Sequence, residues 1–380
     1  MRRFAAVSCA VALSLFLVGS IGQAGAQTDR ESVATIDHFV PHISTVPAIA
    51  GQAVQLYARE RAGALDDASL PGHGRVVLFV HGATYPSAHG FDLPLDDYSW
   101  MAFLAGAGFD VFGMDMTGYG WSTRPAPMDD PCNVSAEQQV EFKVDPCAPS
   151  YPYALVTSQS ELDDIDAVVD YLRDLRQVAR VSLVGWSGGG PRFGGYAAVH
   201  PDKVDSLVLL APAYNRQTNS DPPVDVPARG VPMIFGSQLG SDAGRVSAAE
   251  VQWGNGYAAG IDPAVLATNA TFDPLGATWG VGLVRAPTAT AWGWNAQLAA
   301  RVTAPALLMS GEFDTRVLPQ NVRDLFADIG SSQKLFLELA CTSHRAQHQT
   351  QYAIVQQASL SWLVKGSVEG KRDGVLRLGD

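Results

Sequence analysis

Charge is scarce in this chain, and positive charge is the scarcer sign. Asp, Glu, Lys and Arg make up 17% of 380 residues, 26 basic against 38 acidic, for a net charge of −12. The basic residues are scattered, whereas contact with a phosphate backbone needs clustered Lys and Arg. A nucleic-acid partner is therefore excluded, and the acidity reads as solubility. Cysteine is also rare, with four residues at positions 9, 132, 147 and 341. No Cys-x-x-Cys spacing points to a metal, and no metal or other cofactor is expected. Long apolar runs are missing beyond the N-terminus, which leaves no stable membrane anchor.

The one apolar stretch, Phe4 to Val18, follows Arg2 and Arg3 and precedes Ala24-Gly25-Ala26. That is the layout of an export signal with a small-residue cleavage site. Residues 1–26 are expected to leave and the mature chain to be periplasmic or secreted. In such a compartment cysteines pair. Cys132 and Cys147 bracket a polar excursion and are expected to form a disulfide, whereas Cys341 is left over; the plainest reading is a buried thiol, and the sequence does not decide whether it is free.

Apolar content is ample, at 47%. A strand candidate spans Val54 to Arg59. Arg75 to Val80 is continuously apolar, the signature of a strand buried on both faces, and ends at His81-Gly82. A helical stretch, Tyr98 to Ala107, leads to a strand from Phe109 to Met114. Ser158 to Arg176 carries Leu162, Ile165, Val168, Val169 and Leu172 at helical spacing. Strands follow at Val181–Val184, Val204–Leu210, Ala306–Met309 and Lys334–Leu339, and a last helix at Gln351–Val364. This alternation predicts an α/β fold with a mostly parallel central sheet and helices on both faces. The core is expected in two parts, 27–210 and 304–380. The interval 211–303, rich in Pro, Gly and Trp (Trp253, Trp279, Trp292, Trp294), reads as a cap or lid.

The chemistry concentrates at Gly185-Trp186-Ser187-Gly188-Gly189, directly behind the strand Val181–Val184 and ahead of a helix from Pro191 to Val199. A serine at Gly-x-Ser-x-Gly sits on a strained strand-to-helix turn that aims its hydroxyl, and glycine fits the crowded flanking positions. Such a nucleophile needs a base, a carboxylate to orient the base, and donors for the developing oxyanion. In a sheet enzyme each follows a strand end. Asp314, after Ala306–Met309, is the expected carboxylate, with Glu312 as runner-up. His344, after Lys334–Leu339, is the expected base; His348 would start the following helix. The backbone N–H of Gly188 is one oxyanion donor and that of Ala83 the second, with Thr84 as alternate. His81 is expected to brace its own loop. Tyr85, Trp186 and Trp294 are expected pocket walls.

In this order and context the chain resembles the α/β-hydrolase superfamily over roughly residues 50–365. The resemblance rests on His81-Gly82 after the third strand, Asp115-Met-Thr-Gly118-Tyr-Gly120-Trp-Ser122 after the fourth, Gly185 to Gly189, Gly311 to Asp314, and His344. It implies a Ser-acid-His triad of Ser187, Asp314 and His344, and a cap after the sixth strand. A serine at the elbow argues against haloalkane dehalogenases and epoxide hydrolases, which use aspartate there. His-Gly-Ala-Thr departs from the His-Gly-Gly-Gly of one lipase group, and Cys-Thr-Ser-His departs from the frequent Gly-x-x-His. The expected activity is hydrolysis of a small carboxylic ester or lactone through an acyl-enzyme, with an apolar rather than a charged acyl or alcohol group. An amide or carbon–carbon hydrolase with the same triad, and a non-catalytic binding module, are the alternatives.

Overall fold

The computed structural model describes residues 33–63, 75–140, 145–218, 233–237, 268–277, 283–288, 294–349 and 351–379. The expected signal, 1–26, and Trp253, Trp279 and Trp292 lie outside them.

The described strands are β1 (Ala34–Ile43), β2 (Ala53–Ala62), β3 (Val76–Val80), β4 (Asp110–Met114), β5 (Val181–Trp186), β6 (Val204–Leu210), β7 (Met233–Ser237), β8 (Leu283–Pro287), β9 (Ala306–Gly311), β10 (Lys334–Leu339) and β11 (Gly374–Leu378). Nine of them form one sheet in the order β1-β2-β4-β3-β5-β6-β9-β10-β11. β2 runs antiparallel to both β1 and β4, and the pairings from β4 through β11 are parallel. The helices are α1 (Ser87–Phe91), α2 (Trp100–Gly106), α3 (Ala136–Gln139), α4 (Ser158–Arg176), α5 (Gly189–Val199), α6 (Asn269–Phe272), α7 (Ala296–Ala299), α8 (Pro319–Asp328) and α9 (Tyr352–Lys365).

The central strands are apolar throughout because each face of the sheet meets helices. Val76, Leu78 and Val80 of β3 point into one core layer with Ile165, Val168 and Leu172 of α4 and Phe193 and Tyr196 of α5. Val77 and Phe79 point into the other, with Trp100, Met101 and Leu104 of α2 and Val355, Ala358 and Trp362 of α9. The two-residue period of the strand thus divides one run of sequence between two cores. α4 starts on a reciprocal cap in which the Thr157 side chain accepts from the Ser160 N–H and the Ser160 side chain from the Thr157 N–H.

The structure corrects the sequence reading in several places. β1, expected only as an extended segment, pairs with β2 along its whole length. Most of its residues are exposed, so it carries little of the apolar signal that marks the central strands. The interval 211–303, read as lacking strands, contains the antiparallel pair β7–β8, separate from the main sheet. Cys132 and Cys147 are disulfide-bonded. Cys341, read from sequence as a left-over buried thiol, is half-buried at the turn after β10 and is disulfide-bonded.

Candidate active site

β5 ends at Trp186, and the next residue, Ser187, has φ 54°, left-handed backbone that costs a non-glycine residue about 1 kcal/mol or more. The bend is held from three sides. Ser187 N–H donates to Leu210 O, and Ser187 O accepts from Gly190 and Ala213 N–H, each at 2.9 Å. The glycines are there for space. A Cβ on Gly185 would stand 2.7 Å from Gly189 O, and one on Gly189 2.6 Å from Val80 O. Neither acceptor is a flexible side-chain tip, so the turn closes only with glycine at both positions.

Ser187, His344 and Asp314 come together at this bend. Ser187 Oγ is 2.9 Å from His344 Nε2, and His344 Nδ1 is 2.9 Å from Asp314 Oδ2. Asp314, on the turn after β9, is 2% exposed, and its Oδ1 accepts from the Arg316 and Val317 N–H groups at 2.9 Å each. One carboxylate oxygen is thereby fixed by backbone while the other faces the imidazole. Glu312, the alternative carboxylate, is committed elsewhere, to Cys341 N–H and to Arg377. His348 is buried away from the serine in a short 3-10 turn, Ala346–His348, where its Nε2 meets Gly90 O at 3.1 Å; α9 begins later, at Tyr352. Burial and the neighbouring Arg345 charge push the His348 imidazole down to about 3, so it is neutral.

The loop after β3 lies against the elbow. A Cβ on Gly82 would fall 2.9 Å from Ser187 Cβ, and one on Gly188 3.4 Å from Ala83 N. Among the described residues the N–H groups of Ala83 and Gly188 donate to no protein acceptor. His81 braces the loop with both ring nitrogens: Nδ1 is 2.7 Å from Gly82 O, and Nε2 accepts from Met116 N–H at 3.1 Å. Desolvation, helped by the Arg192 charge, holds this imidazole neutral, as a donor–acceptor bridge requires. Arg192 donates to His81 O at 2.8 Å and pairs with Glu161 at 2.6 Å, all of it buried.

The three expected pocket walls stand differently. Trp294 is not beside Ser187; it is 1% exposed in the core layer of α4 and α5, edge-on to Tyr214 and pressed onto Gly194 in the middle of α5. A glycine on a helix face opens room for an indole, and that decides its place. Trp186 is equally buried, in the opposite layer, where its Nε1 donates to His344 O at 2.9 Å. Tyr85 is 2% exposed; its ring stacks on His89 at 4.7 Å and its Oη accepts from Arg345 Nη2 at 2.6 Å. Both aromatics therefore pack against the His344–Arg345 segment instead of facing solvent. The sequence reading missed Arg345 and His89. Arg345 is the residue after His344, a visible neighbour, but nothing in sequence announces that its guanidinium is buried.

The profile of the alpha/beta hydrolase fold family matches residues 75–350, and the chain belongs to that family. Its fold is similar to those of several solved structures at low identity. A carboxylesterase from Bacillus subtilis (CesB) has TM-score 0.54 and 14% identity, over 88% of this chain and 93% of that one. A monoacylglycerol lipase from Paleococcus ferrophilus has TM-score 0.52 and 21% identity, over 82% and 99%. A thermophilic esterase from Thermogutta terrifontis has TM-score 0.51 and 17% identity, over 86% and 98%. None of the curated protein sequences matches the chain.

Proposed function

We propose that this protein is an exported serine hydrolase that cleaves a carboxylic ester or lactone through an acyl-enzyme. The observation that carries the reading is the pair of 2.9 Å contacts linking Ser187 Oγ, the His344 imidazole and Asp314. Ser187 attacks the carbonyl while His344 Nε2 takes its proton. Asp314 holds Nδ1–H and offsets the imidazolium charge. The oxyanion forms against the N–H groups of Gly188 and Ala83, which have no protein acceptor among the described residues. His344 then returns the proton to the leaving group, and water, activated the same way, releases the acid. Residues 1–26 act as the export signal, a role supported by the Cys132–Cys147 disulfide, and 211–303 acts as the cap over the site. Relatives of this shape that are esterases and lipases favour the ester over amide or carbon–carbon cleavage.

The test is turnover of p-nitrophenyl esters by wild type and Ser187→Ala. The variant is expected to lose at least about 1000-fold in kcat. Activity near wild type in that variant, or a wild type that cleaves amides or diketones and no ester, overturns the reading.

A further inference from the structure

Behind His344 lies a cluster that the proposed chemistry does not use. Arg345 is 1% exposed and has no carboxylate partner among the described residues. Its guanidinium carbon stands 4.6 Å from the Tyr85 ring centre and 6.0 Å from that of Trp186. Nη2 donates to Tyr85 Oη, but Nη1 is buried with no partner among the described residues. Among the described residues His89, stacked on Tyr85 and 0% exposed, leaves its Nε2 without a partner, and the amide of Gln347, on the same turn as His348, is buried and unpartnered at both atoms. The titratable groups around Arg345 bring no negative charge. His89 and His348 are both held neutral by burial first, His89 next by His348 and then Arg345, and His348 next by the Arg345 charge.

An ionised guanidinium in such surroundings is costly. Ring faces and one phenol recover part of the lost hydration, but a buried cation ordinarily has a counter-ion. The position of this one is informative. Arg345 follows the base, Tyr85 lies two residues beyond the Ala83 donor, and Trp186 precedes Ser187. His89 Nδ1 is 3.1 Å from Thr268 Oγ1, so the cluster also sits where the 211–303 interval meets the core.

We propose that Arg345 and His89 form a subsite for a carboxylate carried by the substrate, so that the hydrolase acts on acidic esters. The proposal rests on the serine-hydrolase reading and replaces the apolar substrate expected from the Trp-rich interval. One positive charge beside neutral donors matches a monoanionic carboxylate better than a phosphate dianion. A guanidinium with Nη1 unengaged and an imidazole Nε2 offer it two hydrogen bonds.

Two matched pairs test this, because the carboxylate belongs to either the acyl or the alcohol part. The first is p-nitrophenyl butyrate against mono-p-nitrophenyl glutarate; the second is phenyl acetate against 4-acetoxybenzoate. The wild type is expected to favour the charged member of one pair by about tenfold or more in kcat/KM, the scale of a hydrogen-bonded charge. Arg345→Met should abolish the preference, and Arg345→Lys should keep part of it. No preference in either pair, or a preference that Arg345→Met leaves intact, overturns the subsite. Binding is read separately from catalysis by the Tm of Ser187→Ala protein with millimolar glutarate and 4-hydroxybenzoate. One of them should raise Tm, and the rise should vanish in the Ser187→Ala, Arg345→Met double variant. A Tm rise that needs Arg345, in a protein that cleaves no ester, keeps the subsite and sinks the hydrolase reading. Ester cleavage with neither preference nor Tm rise does the reverse. If Arg345→Met does not fold, the wild-type preferences and Arg345→Lys still decide.

Discussion

At position 186 the Gly-x-Ser-x-Gly pattern accepts any side chain, yet here an indole is buried and its Nε1 donates to the His344 carbonyl. The residue before the serine thus holds the residue that would take the serine's proton. Trp186→Phe keeps an aromatic ring, although a smaller one, and removes the donor. It leaves a buried carbonyl short of a partner, at a cost of about 1–3 kcal/mol in stability. Because base placement matters more to the chemical step than to binding, kcat should fall about tenfold with KM nearly unchanged. Steady-state kinetics on one ester check this, and an unaltered kcat contradicts it. At this scale much was legible. Ser187, Asp314 and His344 each follow a strand end, and a polar residue at the carboxyl end of a buried strand stands out. The directions of Tyr85 and Trp186 were not read, although Trp186 lies in phase with Val184 and so had to enter the same core layer. The fate of Arg345 and Trp294 depended on partners a hundred residues away or more: Tyr85 for one, Gly194 for the other.

Among the elements, β3, β5, β6, β9 and β10 were visible because burial on both faces forces unbroken apolar runs. α4 was visible because one stripe of it faces the sheet. β1 and β11 are the edge strands of the main sheet, half exposed and weakly patterned, and β7–β8 lie in a Gly- and Pro-rich interval whose pairing no local period reveals. α4 also buries a charge-bearing group against the sheet. Asp164 accepts from Thr117 N–H at 3.1 Å, and its other oxygen is 3.6 Å from His42 Nε2 on β1. Desolvation pushes its carboxyl up to about 7 from 3.8. The folded protein therefore retains a proton there that the unfolded chain releases at much lower pH. Folding takes up that proton across the window, so this group's contribution to stability falls as pH rises from about 4 to 7 and is level above it. Asp164→Asn should remove that slope, at most about 1.4 kcal/mol per pH unit. Denaturant unfolding of both proteins at several pH values measures the difference, and parallel stability curves contradict the assignment.

For the molecule as a whole, the sheet order places β5 near the middle, with β3 on one side and β6, β9 and β10 on the other. The elbow after β5 therefore has the β3 loop on one flank and the acid- and base-bearing turns on the other. The described part of the 211–303 interval is pinned to the core beside them. Arg124 pairs with Asp273 at 2.5 Å, Arg285 with Asp129 at 2.9 Å, and Gly118 leaves room for Pro287. The central claim is that this arrangement makes Ser187 a nucleophile. Treating the native protein with a fluorophosphonate and locating the adduct by peptide mass spectrometry tests it most directly. The account predicts one adduct, on Ser187, absent from Ser187→Ala and formed far more slowly in His344→Ala. An unmodified Ser187, or labelling that proceeds as fast without His344, would contradict it.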